Sequence, residues 1–289
     1  MNVKEEINKI INGFRISNIT SLRNLKPKTK SIVEEKSIID AQSIIFGYKP
    51  DIEDKRDYKL KLTAPKKMPT NFSLKNNLPP ILDQGNLGSC VSNALANTLK
   101  YLYIRNKKLT KNWSRLFNYY NTRALENSVN EDDGCQIRNA IKVCNKNGTC
   151  FETTWPYTIS KFANKPTTIS YNEARTHIIT SYRRVSQTRN DIKTCLLASN
   201  PILIGFYCGT NIFSTFTTKT GNITYPSNDE QIIGGHCVLL VGYDDEKQIY
   251  EFMNSWGTKW GNKGYGTIPY LYIENPNLAA DFWIIENVI

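Results

Sequence analysis

The sequence predicts an α+β protein in which a helix-rich half is followed by a strand-rich half, and three observations carry that expectation. Val91, Ala94, Leu95, Thr98, Leu99 and Leu102 recur at three- and four-residue steps, the spacing of one face of a helix. From Ile178 onward, β-branched and aromatic runs alternate with turn residues, the pattern of half-buried strands. With 289 residues, 40% of them hydrophobic and 22% charged, the chain is long and apolar enough to bury a substantial core.

In chain order, residues 1–64 form an N-terminal extension and 65–289 the main body. Ile7, Ile10, Ile11 and Phe14 make a short amphipathic pattern, and Ser31 to Ile45 reads as a second helix. Such a segment is too short for a large core of its own, so it is either a tail or a piece that folds by packing onto the body. Ala64-Pro65-Lys66-Lys67-Met68-Pro69-Thr70 is a Pro/Lys linker and marks the boundary. Extended chain through Leu78-Pro79-Pro80 follows, because residues before proline avoid the helical region. Helices are expected from Cys90, over Trp113–Ala124 and over Ile137–Asn145. Strands are expected at Pro201–Tyr207, Ile223–Pro226, Cys237–Tyr243, Ile249–Met253, Tyr265–Ile268 and Phe282–Glu286, giving a second half of barrel-like character.

The net charge of +11 contains no basic block of five or six and no nucleic-acid motif, so it reads as a solvated lysine-rich surface and nucleic acid is not expected as a partner. Met1 to Ile7 contain acids and no apolar core, so no signal peptide is expected; no apolar run approaches membrane-spanning length. Seven cysteines without paired C-x-x-C spacing, and only two histidines, argue against a structural zinc site. No metal and no organic cofactor are expected.

The chemistry centres on Gln84-Gly85-Asn86-Leu87-Gly88-Ser89-Cys90. Two glycines and an Asn make a tight loop that runs into the helix, so Cys90 sits at a helix N-terminus, where unpaired N–H groups and the helix dipole favour a thiolate. A lone Cys on an apolar helix is by default a small buried hydrophobe. Its possible partners shift that balance. His236 lies in Gly234-Gly235-His236-Cys237, glycines feeding a β-branched strand, and Asn254-Ser255-Trp256-Gly257 follows. A helix-terminal Cys, a strand-start His and an Asn in a Trp/Gly loop supply a nucleophile, its base and the residue that orients the base. His177 has no such surroundings and is expected to be a surface or packed histidine.

These residues resemble the papain family of cysteine peptidases over roughly residues 66–272. The family's elements occur in its order: Gln84 six residues before Cys90, Gly88-Ser89-Cys90, Gly235-His236 and Asn254-Ser255-Trp256-Gly257. Gly47-Tyr48-Lys49-Pro50-Asp51 with Arg56-Asp57-Tyr58 is similar to the lead-in of bacterial and large-DNA-virus members. Leu87 and Val91 stand where the family often has Cys and Trp, so one customary disulfide is missing.

The resemblance implies a helical half and a β-barrel-like half with the active-site cleft between them, and a cysteine-type endopeptidase acting on peptides or proteins. Exopeptidase relatives carry an added loop, in one branch with adjacent histidines, and no such pair exists here. Catalytic roles would fall to Cys90, His236, Asn254 and Gln84, the last as an oxyanion donor beside the Cys90 N–H. Trp256 would shield the His–Asn bond from water. Substrate backbone would lie along Gly134 and Cys135, at the place of the family's Gly-Gly pair, and Gly235 also borders the cleft. Gln136, Ile137 and Cys237 would line an apolar pocket for the second residue before the cut. Such peptidases carry pro-regions, so residues 1–64 are expected to act as the enzyme's own inhibitor in a precursor. A location in the cytoplasm or in a viral particle fits the missing signal. Two alternatives remain: acyl transfer by the same thiolate to an amine, and a non-enzymatic binding protein on the same fold.

Overall fold

The computed structural model describes residues 45–106 and 111–288. The helical patterns expected between Ile7 and residue 44 lie outside the described residues. In chain order the elements are β1 (Tyr48–Lys49), β2 (Asn71–Ser73), α1 (Cys90–Arg105), α2 (Arg115–Leu125), β3 (Cys135–Gln136), α3 (Ile137–Lys146), α4 (Thr168–Ala174), β4 (Ile179–Arg184), α5 (Arg189–Leu197), β5 (Ile202–Gly209), α6 (Thr215–Thr220), β6 (Ile232–Asp244), β7 (Ile249–Met253), β8 (Tyr265–Pro269), α7 (Tyr270–Glu274) and β9 (Ala279–Val288). Among the described residues no helix is long and apolar enough to cross a membrane.

The strand-rich half is a seven-stranded antiparallel sheet with the order β4-β9-β5-β6-β7-β8, and β2 pairs with the far end of β6. β9 follows the other strands in sequence yet lies between β4 and β5. Expected strands at Ile249–Met253 and around Cys237–Tyr243 are present, the latter extended at both ends. Ile223–Pro226 is not a strand. The bridge from Asn222 to Thr267 and the bonds that Thr267 makes with Gly221, Asn222 and Ile223 attach its start to β8, and Pro226 has no N–H with which to extend the ladder.

α1 is the central helix and packs against β6 and β9. The sequence pattern assigns it one apolar stripe, but every residue except Lys100, Ile104 and Arg105 is buried. Its polar side chains are satisfied inside: Ser92 Oγ donates to Asn118 Oδ1 at 2.7 Å and Thr98 Oγ1 to the Ala94 carbonyl at 2.9 Å. All seven cysteines are free thiols and buried.

Residues 45–60 are fastened to the body. β1 pairs in parallel with β3, Tyr48 opposite Cys135. Arg184 at the end of β4 bonds Asp51, Asp57 and Asp281 at 3.0, 3.1 and 3.0 Å. Arg138 adds a second bond to Asp57 and donates to the Ile52 carbonyl. The backbone of Tyr58 and Leu60 bonds Arg184 in both directions at 2.8 Å. The Ala64–Thr70 linker is largely exposed, as its composition leads one to expect.

Candidate active site

Cys90 is the first residue of α1, as its glycine loop predicts. The loop before it is held from three sides. Gly88 N donates to the Asp132 carboxylate at 3.0 Å, and Tyr119 donates its hydroxyl to the same carboxylate. Ser89 Oγ bonds the Tyr157 hydroxyl at 2.6 Å, which in turn donates to the Gln84 carbonyl at 2.9 Å. Tyr157 of Trp155-Pro156-Tyr157 thus braces the loop from the far side. Gly85 adopts φ +56, a conformation that favours glycine.

Gln84 is completely buried and its amide is oriented. Ser255 Oγ donates to Oε1 at 2.7 Å, while Nε2 donates to the Leu87 carbonyl at 2.9 Å and to the Ile45 carbonyl at 3.1 Å. The backbone bond from Gln84 N to the Ser255 carbonyl, with the bridge between Asp83 and Trp256, ties this loop to the Asn254–Gly257 loop.

His236 stands on β6 opposite Phe206 of β5. Its Nε2 and Asn254 Oδ1 lie 2.8 Å apart, a bond in which the ring N–H donates to the amide oxygen. Trp256 stacks on the imidazole, with centroids 4.4 Å apart and planes inclined by 25°. His236 Nδ1 is buried without a hydrogen-bond partner among the described residues. His177 is half-buried against the stacked pair Trp113 and Phe151, ring centroids 5.1 and 4.8 Å away, and lies away from the Cys90 loop.

The cleft is filled by the chain itself. Phe46 packs edge-on to both His236 and Trp256. Gly47 passes between Gly88 and Gly134: a Cβ on Gly47 would fall 1.8 Å from the Gly88 carbonyl oxygen, and one on Gly134 would fall 2.2 Å from the Gly47 oxygen. Cys135 N donates to the Gly47 carbonyl at 2.9 Å, and the Cys135–Gln136 strand pairs with Tyr48–Lys49, so the chain's own backbone lies where the substrate backbone was expected. Gly235 faces the Tyr48 backbone, and Gln136 Nε2 donates to the Pro50 carbonyl at 3.0 Å. Ile137 and Cys237 are buried.

Burial sets the protonation states. Loss of water pushes the Cys90 thiol up to about 11, against the pull of backbone hydrogen bonds from Cys237 and Gly47, and pushes His236 down to about 4, against its bond to Asn254. At neutral pH the closed cleft therefore holds a thiol and a neutral imidazole, although the helix N-terminus alone would favour a thiolate. Residues 45–49 exclude the solvent that charge separation needs. No group of three or more His, Cys, Asp or Glu side chains among the described residues is placed to hold a metal ion.

Sequence reasoning passed over Ser255, Tyr157, Asp132, Arg184 and Asp281. Ser255 lies inside the Asn254–Gly257 motif, whereas Asp281 meets Tyr48 only through the position of β9. A family model described as papain family cysteine protease matches residues 68–278. An uncharacterized peptidase C1-like protein of Acanthamoeba polyphaga mimivirus is 41% identical over 272 residues, 84% of this chain and 87% of that protein. Xylellain, a cysteine protease from Xylella fastidiosa, superposes with a TM-score of 0.78 at 36% identity, covering 89% of this chain and 99% of that one. Procathepsin L 3 of the Tenebrio molitor larval midgut shares the fold, with a TM-score of 0.63 at 19% identity over 80% of this chain and 75% of that one. The likeness to bacterial and large-DNA-virus proteins read from residues 47–58 agrees with the first two.

Proposed function

This chain belongs to the papain family of cysteine proteases, and on that premise we propose that it is an endopeptidase made as a precursor, its cleft closed by its own N-terminal segment. The observation that carries the reading is the Ile45 carbonyl lying on Gln84 Nε2, at the place assigned to a substrate oxygen, with Gly47–Lys49 strand-paired beyond it.

Once the segment leaves, water returns and Cys90 can pass its proton to His236. The thiolate attacks a peptide carbonyl, and Gln84 Nε2 and the Cys90 N–H meet the charge that develops on oxygen. His236, held by Asn254 and covered by Trp256, gives its proton to the leaving amine and then activates the water that clears the acyl-enzyme. Because His236 must reach that amine, the C-terminal part of a substrate lies on the His236–Trp256 side and the N-terminal part along β3. The resident segment runs the other way, from Phe46 beside His236 to Tyr48 beside Cys135. That reversal supports its role as an inhibitor that is not consumed.

The test is the rate at which a papain-class covalent inhibitor labels Cys90, read by intact mass. A chain cut in the Ala64–Thr70 linker, or one beginning at Lys66, should react faster than the full chain, and Cys90→Ala should not react. Equal rates for cut and uncut folded protein would remove the precursor reading; labelling of Cys90→Ala would remove the nucleophile.

A further inference from the structure

Tyr48 anchors the seated segment, and the slot that receives it has a defined chemistry. Two of its walls are bare backbone: a Cβ on Gly205 would lie 2.0 Å from the ring Cζ, and one on Gly235 would lie 2.8 Å from Cδ1. Any side chain at either position would take the space the ring occupies. Tyr207 stands alongside, centroids 6.2 Å apart. At the far end the Tyr48 hydroxyl donates to Asp281 Oδ2 at 2.6 Å. Asp281 is only 6% exposed and adopts φ +60, an uncommon conformation for a residue other than glycine. Its second oxygen accepts from Arg184 Nη1 at 3.0 Å, and Asp51 N donates to Oδ2 at 2.7 Å.

We propose that Asp281 makes this slot selective for tyrosine as the second residue before the cut, over phenylalanine and over lysine or arginine. The inference rests on reading the cleft as a peptidase site. When the segment departs, Asp281 Oδ2 loses both donors, the Tyr48 hydroxyl and Asp51 N. A phenol restores a hydrogen bond to a charged acceptor, whereas a phenyl ring fills the slot, expels water and leaves Oδ2 with no replacement for either. Cations are disfavoured by a different count. Arg184 has three carboxylate partners while the segment is seated, but Asp51 and Asp57 leave with it. Arg138 loses Asp57 at the same time. Asp281 then already carries one guanidinium, and a second cation would sit beside Arg184 without a carboxylate to spare. The apolar preference expected from Gln136, Ile137 and Cys237 thus gains a polar requirement at the slot's end.

Three peptide electrophiles identical except for Tyr, Phe or Lys at that position test this on the full chain, cut in the Ala64–Thr70 linker and freed of the segment. The Tyr reagent should label Cys90 about 10- to 100-fold faster than the Phe reagent, the scale of one hydrogen bond to a charged group. The Lys reagent should be slower than Tyr, and in Asp281→Asn the Tyr/Phe ratio should collapse towards one. Equal Tyr and Phe rates in the unsubstituted chain overturn the proposal, as does a ratio that survives Asp281→Asn. Should that variant not fold, Tyr48→Phe in the uncut chain reads the same bond. Labelling by a small thiol reagent should rise as the segment loosens, and an unchanged rate counts against Asp281. Peptide hydrolysis is scored separately. A tyrosine preference in labelling without turnover keeps the slot and removes the peptidase reading, and brisk turnover with equal labelling does the reverse.

Discussion

Gln84 makes use of both ends of a single amide. Ser255 Oγ holds Oε1, so the group cannot flip, and Nε2 is left facing the carbonyls of Leu87 and Ile45. A donor fixed in advance stabilises charge without reorganising when the charge appears, which is why the loss of one oxyanion donor typically costs about 10² to 10³ in turnover. Gln84→Ala should lower kcat of the opened enzyme on that scale with KM nearly unchanged; a change confined to KM would sink the oxyanion role. At this scale the candidate site was legible where its residues sit in a fixed local setting. Cys90 follows from a glycine loop meeting a helix pattern, and His236 and Asn254 from glycine-rich flanks. Asp281 was not legible, because its partner Tyr48 lies 233 positions away and only the finished sheet brings the two together.

At the scale of elements, β1 has two residues, as does its partner β3, and is led in by a tightly enclosed glycine. Gly47 lies where a Cβ would run into the Gly88 carbonyl, so Gly47→Ala should unseat β1 while the body keeps its own contacts. An overpacking cost of about 1–3 kcal/mol converts to roughly 5- to 150-fold faster labelling of Cys90 in the uncut chain. Unchanged labelling would mean that β1 can shift and still cover the thiol. The strands and helices that the sequence disclosed are those whose periodicity runs unbroken, such as β7 and α3. α5 was missed although Thr188 caps it and Ile192, Cys195 and Leu196 carry helical spacing. Its surroundings read as strand and turn, and a nine-residue helix docked on a sheet leaves a pattern too short to compete with them. Ile223–Pro226 erred in the opposite sense: β8 ends the sheet and has an open edge, but the pairing stops after Ile223 and Pro226 has no N–H to carry it on.

For the molecule as a whole, closing the cleft links two titrations of opposite sign. His236 is driven from 6.5 to about 4 by burial, so the open state binds a proton that the closed state does not, and acid favours opening as pH falls from about 6.5 to 4. Asp51 is driven from 3.8 to about 7, first by burial and then by the Asp281 charge, so here the closed state binds the extra proton, and acid favours closure as pH falls from about 7 to 4. The two windows overlap and oppose each other, which predicts weak pH dependence in the natural sequence. Asp51→Asn should expose the His236 effect alone, with closure lost by up to about tenfold per pH unit across the lower window. Hydrogen exchange at the Cys135 amide, which bonds Gly47, reads closure independently of thiol chemistry once corrected for intrinsic rate. A flat profile in the variant as well would remove His236 as the acid-sensitive group. The position of β9 bears on when this enzyme can be dangerous. A ribosome delivers residues 45–60 early and β9 after every other strand, and chains fold as their parts emerge. Yet β9 fills the gap between β4 and β5 and carries Asp281, so the sheet behind the cleft and the anchor for Tyr48 arrive in the same step. On the proposed precursor reading, the cleft's sheet and the anchor of the segment that covers it are completed together, so folding and closure would coincide.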